Sequence, residues 1–302
     1  MKARKFHAFV LAGLITLLTP FGQVARAGGA ATPPAEAARL ATTPVMAVDA
    51  SKANAAALAI DASKVSDEVR QQTQEKAALQ ERLRQVSSAG GARVGEPVDG
   101  EQVSVKEPVS RGELKLAPDT AAGFAYVQPY AEPDDYAHRN YCGPGAATVL
   151  LSHWDPGYPG QVNIDDLGRR MDLDPNSGVW IRDIVGPVNE ELSVVAGAEL
   201  NWYRYGKAQT LDDFRTMLDV DLNQNGVPLI TGLMTKGLPG WGEEDVGHIV
   251  AVYGYSRDAD GREWVTYADT APAASGYEGA ALQTVDMGTF WHAVSGNSAQ
   301  VW

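Results

Sequence analysis

Two strand-forming runs joined by one turn cluster constrain this chain more than any other feature. His-Ile-Val-Ala-Val-Tyr-Gly-Tyr starts at His248, Glu-Trp-Val-Thr-Tyr-Ala-Asp ends at Asp269, and Arg257-Asp-Ala-Asp-Gly261 lies between them. β-Branched and aromatic residues bounded by Asp and Gly read as an antiparallel hairpin. With a loop from Arg257 to Asp260, Ser256 pairs with Gly261 and His248 falls directly opposite Asp269. Opposed residues share a face, with Cβ atoms roughly 4.5–5.5 Å apart. Asp269 is therefore expected to accept a hydrogen bond from the His248 ring. A slip of one residue would turn one of the two to the other face.

The surroundings extend the pattern. Strand-like runs occur at 227–234 and 282–287, and helix-like runs at 144–153, 165–171, 180–192 and 211–218. Helices first and strands later indicate an α+β domain, placed at 116–302. No internal repeat is present. Asp221-Leu-Asn-Gln-Asn-Gly226 matches half of a calcium loop, but its twelfth position is Gly232, where the bidentate carboxylate belongs. It is read as a turn before a strand, and no metal site is expected.

Ahead of the domain the chain has four segments. Residues 1–27 have a Lys/Arg start, an apolar stretch from Ala8 to Leu18, and Ala25-Arg-Ala27, the layout of a secretory signal peptide. Residues 28–52, rich in Ala, Pro and Thr, and residues 89–115, with Gly-Gly and two prolines, read as linkers. Residues 53–88 hold no Gly or Pro. Leu58, Ala62, Val65, Val69, Leu79, Leu83 and Val86 form a heptad-like seam interrupted by Gln72 and Lys76. This predicts an amphipathic helix that serves as a prosegment on the domain, a self-associating stalk or a spacer. The formal charge of -13 argues against a nucleic-acid surface. The chain is expected to be secreted or periplasmic, with no membrane span once the signal is cleaved.

Export makes the single cysteine informative, since one Cys cannot form an internal disulfide and an idle thiol is an oxidation hazard. Cys142 stands in Asn-Tyr-Cys-Gly-Pro-Gly-Ala-Ala, where Pro144 suits the first position of a helix. Helix N-termini favour a thiolate. A thiolate nucleophile needs a base, and the base needs an orienting group. His153 lies about three turns along the same helix and cannot reach the thiol. His138 sits in an irregular loop, and His292 follows Phe290-Trp291 in a terminal helix. His248, with Asp269 facing it, is the candidate base.

Asn-Tyr-Cys142-Gly-Pro-Gly, Gly-His248-Ile-Val-Ala-Val-Tyr-Gly-Tyr and Thr-Tyr-Ala-Asp269-Thr-Ala-Pro together resemble papain-like cysteine peptidases of the bacteriocin-leader (double-glycine) peptidase type. Stand-alone exported members are the most similar, and the likeness runs from about Gly123 to Trp302. It implies a papain-like fold and hydrolysis of peptides or proteins without a cofactor. Cys142 would be the nucleophile, His248 the base and then acid, and Asp269 the orienter. The family usually carries a Gln shortly before the Cys as an oxyanion donor. Here the nearest is Gln128, beyond the acidic insert Glu132-Pro-Asp-Asp135, and Asn140 or His138 are substitutes. The tryptophans at 180, 202, 241, 264 and 291 are expected mostly in the core, with Trp241 able to line a substrate cleft. Two other readings fit the same residues: a thiol acyltransferase or amidase, and a binding module without catalysis.

Overall fold

The computed structural model describes residues 60–90 and 121–302. The expected signal peptide, the linker 28–52, residues 53–59 and nearly all of the linker 89–115 lie outside the described residues.

The first helix, α1 (Asp67–Gly90), follows a 3-10 turn at Ala62–Lys64. It starts later than the seam suggests because Ser66 caps it. The Val69 N–H donates to the Ser66 hydroxyl at 3.4 Å, and Asp67 and Glu68 complement the positive end of the helix. The seam faces the chain's own domain: Val65, Val69 and Leu83 are buried in its two cores. The two polar interruptions are its anchors. The Gln72 amide donates to the Tyr205 carbonyl and accepts from the Trp302 indole, both at 2.8 Å. Lys76 is fully buried, with Nζ 4.3 and 4.6 Å from the Trp202 and Trp302 ring centres.

The remaining strands form one antiparallel sheet. They are β1 (Ala121–Phe124), β2 (Tyr205–Lys207), β3 (Leu229–Met234), β4 (Gly247–Arg257), β5 (Glu263–Ala268), β6 (Leu282–Asp286) and β7 (Ala299–Val301). Their order is β2-β7-β3-β4-β5-β6, with β1 beside the far end of β4. Both faces of β4 are covered, so its side chains divide by the two-residue period of a strand. Ile249 and Ala251 pack against α2 (Cys142–Leu151) and α4 (Ile181–Ala196). Val250 and Val252 pack with Phe214 of α5 (Leu211–Leu218) and Phe290 of α6 (Met287–Ser295). The short α3 (Ile164–Arg170) lies beside α2.

Three details differ from the sequence reading. The Asp221 segment is a π-helical turn, Asp219–Gln224, continuous with α5, and Asp221 points inward to Lys76. Trp180 is 73% exposed, because it precedes α4 with its ring outside the core. The helix at Cys142 begins two residues before Pro144. Proline is tolerated there because the first-turn N–H groups have no intrahelical acceptor.

Candidate active site

The hairpin register is not the one inferred from a four-residue loop. Arg257 pairs with Glu263 and Ser256 with Trp264, so the turn is longer than expected. A bulge at Tyr253 then shifts the ladder, and Ala251 pairs with Ala268. Continuing by one residue would set Asp269 against Val250 rather than His248, whose own ladder partner is Leu233 on β3. The bulge is what rescues the geometry. Without it the offset would be odd and the two side chains would point to opposite faces. With it they become diagonal neighbours on one face, within reach of each other.

The contact forms. His248 Nε2 lies 2.8 Å from Asp269 Oδ1, and both residues are buried. Asp269 also accepts from the Trp241 indole N–H at 3.0 Å and from the Ala271 backbone N–H at 3.1 Å. Trp241 covers the pair, its ring centre 4.9 Å from that of His248. Burial alone would lower the His248 pKa, but the Asp269 carboxylate and the nearby Cys142 hold it well above the ordinary histidine value. Burial would raise Asp269, but the His248 charge and the Trp241 hydrogen bond keep it below the usual carboxylate range.

Cys142 opens α2 and is partly exposed. The glycines around it permit close packing at the helix start. A Cβ on Gly143 would lie 2.1 Å from Val179 Cγ1, and one on Gly145 would lie 2.5 Å from Thr270 Oγ1. Cys142, His248 and Trp241 line one cleft of about 820 Å³. No described residue of α1 lines it, so the described helix does not plug the cleft.

The other expected site residues divide. Asn140 lines the cleft, but its amide donates to the Pro175 carbonyl at 2.7 Å. Gln128 is not a lining residue, and its amide is turned onto the Tyr126 hydroxyl. His138 is held by Asp135 at 2.8 Å and Asp165 at 3.2 Å. His153 bonds the Tyr126 carbonyl at 2.9 Å. The one acidic lining residue among those described was given no role in the sequence reading. Glu132, in the acidic insert, is 4% exposed and accepts from the Thr270 hydroxyl at 2.6 Å. The only signal for it in the sequence was its place between Gln128 and Cys142.

Comparisons with known proteins agree with the sequence resemblance. The profile of the Peptidase_C39 like family matches residues 124–298. No curated protein sequence matches. Among solved structures, the bromelain protease from Ananas comosus bound to the E64 inhibitor aligns at 10% identity and a TM-score of 0.37, covering 58% of this chain and 92% of that one. The ragweed cysteine protease Amb a 11 in its proform aligns at 13% identity and 0.39, covering 63% and 66%. These structural likenesses are loose, and the assignment comes from the profile, which spans more than half of the sequence. The chain belongs to the Peptidase_C39 like family and is a cysteine-type peptidase.

Proposed function

We propose that this chain is an exported cysteine peptidase in which Cys142 is the nucleophile, His248 the general base and acid, and Asp269 the group that orients the imidazole. The reading is carried by the His248–Asp269 hydrogen bond, buried under Trp241 at the cleft that Cys142 lines. Because Asp269 takes Nε2–H, Nδ1 is the nitrogen left for the thiol. His248 removes the thiol proton and the Cys142 sulfur bonds to the substrate carbonyl carbon. The tetrahedral intermediate collapses, the C–N bond breaks, and His248 gives its proton to the departing amine. Water activated by the same imidazole then cleaves the thioester and frees Cys142. Export rests on the signal-like residues 1–27.

A thiol-reactive peptide inhibitor tests the assignment. Cys142 should label faster than a free thiol at pH 6, and His248→Ala should abolish that advantage while the fold is kept. Labelling no faster than a free thiol would refute the reading. Turnover only with an added amine acceptor would assign acyl transfer instead of hydrolysis.

A further inference from the structure

We propose that Glu132, as a neutral carboxylic acid, is the side-chain hydrogen-bond donor to the oxyanion that forms when Cys142 attacks. The proposal rests on the nucleophile assignment above. All three candidates for this role are committed elsewhere, Gln128 to Tyr126, Asn140 to Pro175 and His138 to Asp135 and Asp165. Glu132 instead lies against the first turn of α2: its Oε1 is 3.0 Å from where a Gly145 Cβ would stand. That turn also carries the unpaired backbone N–H groups of a helix start.

The hydrogen bonding around Glu132 says which oxygen holds the proton. Thr270 donates its hydroxyl to Oε1, and the Glu132 backbone N–H donates to the Thr270 carbonyl at 3.0 Å. The first makes Oε1 the acceptor, and the second holds the Glu132 backbone beside Thr270. No other described residue hydrogen-bonds Oε2, so in the acid form Oε2–H is the donor free to serve the cleft that Glu132 lines.

Charge decides between acid and carboxylate. Thr270, His248 from β4, Asp269 beyond β5, His138 from its turn and Tyr130 are the groups that bear on Glu132. Burial dominates and Asp269 adds to it, pushing the carboxyl pKa up to about 7 against the hydrogen bond from Thr270 and the charges of His248 and His138. An ionised Glu132 would stand with Asp269 as a second negative charge beside His248. It would also repel the developing oxyanion. As an acid it donates one hydrogen bond, and no proton needs to be transferred. The substrate's C=O electron pair moves to oxygen as the S–C bond forms, and returns when the C–N bond breaks.

The test uses the mature chain from residue 28 and two readouts between pH 5 and 9. One is acylation by p-nitrophenyl acetate, which passes through an oxyanion. The other is alkylation by iodoacetamide, which needs the thiolate but forms no oxyanion. The ratio of acylation to alkylation should fall in the wild type as pH rises through about 7. Glu132→Gln, a donor that does not titrate, should remove that fall. Glu132→Leu should acylate ~10²–10³-fold more slowly, with alkylation reduced far less than acylation. A Glu132→Gln profile identical to wild type, or wild-type acylation by Glu132→Leu, would overturn the proposal. Should Glu132→Leu fail to fold, the Glu132→Gln profile still decides. Acylation that survives Cys142→Ala would instead overturn the nucleophile assignment, and the role of Glu132 with it.

Discussion

Lys76 Nζ lies 2.5 Å from Asp221 Oδ1, and both side chains are fully buried. Burial pulls the Lys76 pKa down to about 8 and pushes Asp221 up to about 6. Each is therefore tolerated inside only because of the other. Removing one partner of such a pair costs ~3–5 kcal/mol, whereas replacing both with apolar groups is close to neutral. Lys76→Met should lower the unfolding free energy by about that amount in urea titrations. The double variant Lys76→Met with Asp221→Leu should recover most of it. A single variant as stable as wild type would show that α1 is not held by this pair.

The same helix supplies a second prediction. Val65, Val69 and Leu83 complete the domain's cores, and Trp302 relies on Gln72 for its indole hydrogen bond. A chain starting at residue 116 would expose those apolar faces and leave Asp221 without its cation. It should be expressed as an aggregate, or with its thermal midpoint strongly lowered, as seen by circular dichroism. A removable inhibitor would behave oppositely: its deletion would give a soluble and more active protein.

The legible parts of this protein were those set by local chemistry. Thr210 and Asp213 form a capping box, and α5 falls at 211–218 as its amphipathic pattern predicts. The strand pairs around His248 and Asp269 were legible for the same reason. The register was not, because a longer turn and a bulge at Tyr253 act in opposite directions and neither leaves a sequence mark. Short β2 and β7 carry too few residues for a periodic signal, and Tyr205 pairs with Val301 far along the chain. Glu132 was hidden in what reads only as an acidic insert. Its burial depends on Thr270, remote in sequence. Lys76 read as a flaw in a seam because its partner is likewise distant.

Gly143 is a position where one methyl group should matter. Its Cβ would overlap Val179 Cγ1 at 2.1 Å, and neither the helix start nor the loop can move freely in a packed interior. Gly143→Ala should destabilise by ~1–3 kcal/mol, as overpacking does. Adding Val179→Ala should return part of that loss. If denaturant titrations show no recovery in the double variant, the clash is not the cause.

Trp241 separates packing from hydrogen bonding at the site. Trp241→Phe keeps a ring over His248 and against Tyr277 but deletes the N–H bonded to Asp269 Oδ2. A hydrogen bond to a charged group contributes ~1.5–3 kcal/mol. If that is lost in the transition state, kcat/KM falls ~10–100-fold. Stability should change less than in the Lys76 variant. A wild-type kcat/KM in Trp241→Phe would mean that the indole only fills space.

The His248–Asp269 pair should also give stability a pH signature with a definite sign. His248 is held above its ordinary value, so its contribution is complete below about pH 6.5 and fades as pH climbs through the raised value. Asp269 is held below its ordinary value, so its contribution is present above about pH 4 and is lost as pH falls through the lowered value. Asp269→Asn removes the negative charge and leaves burial as the main influence on His248. The folded variant then prefers a neutral ring, binds fewer protons than the unfolded chain near pH 5–6, and gains stability as pH rises. The gap between wild type and variant should therefore be widest near pH 5 and shrink steadily toward pH 8 in urea unfolding. A gap that stays constant or widens over that range would mean that His248 is not charged in the folded wild type.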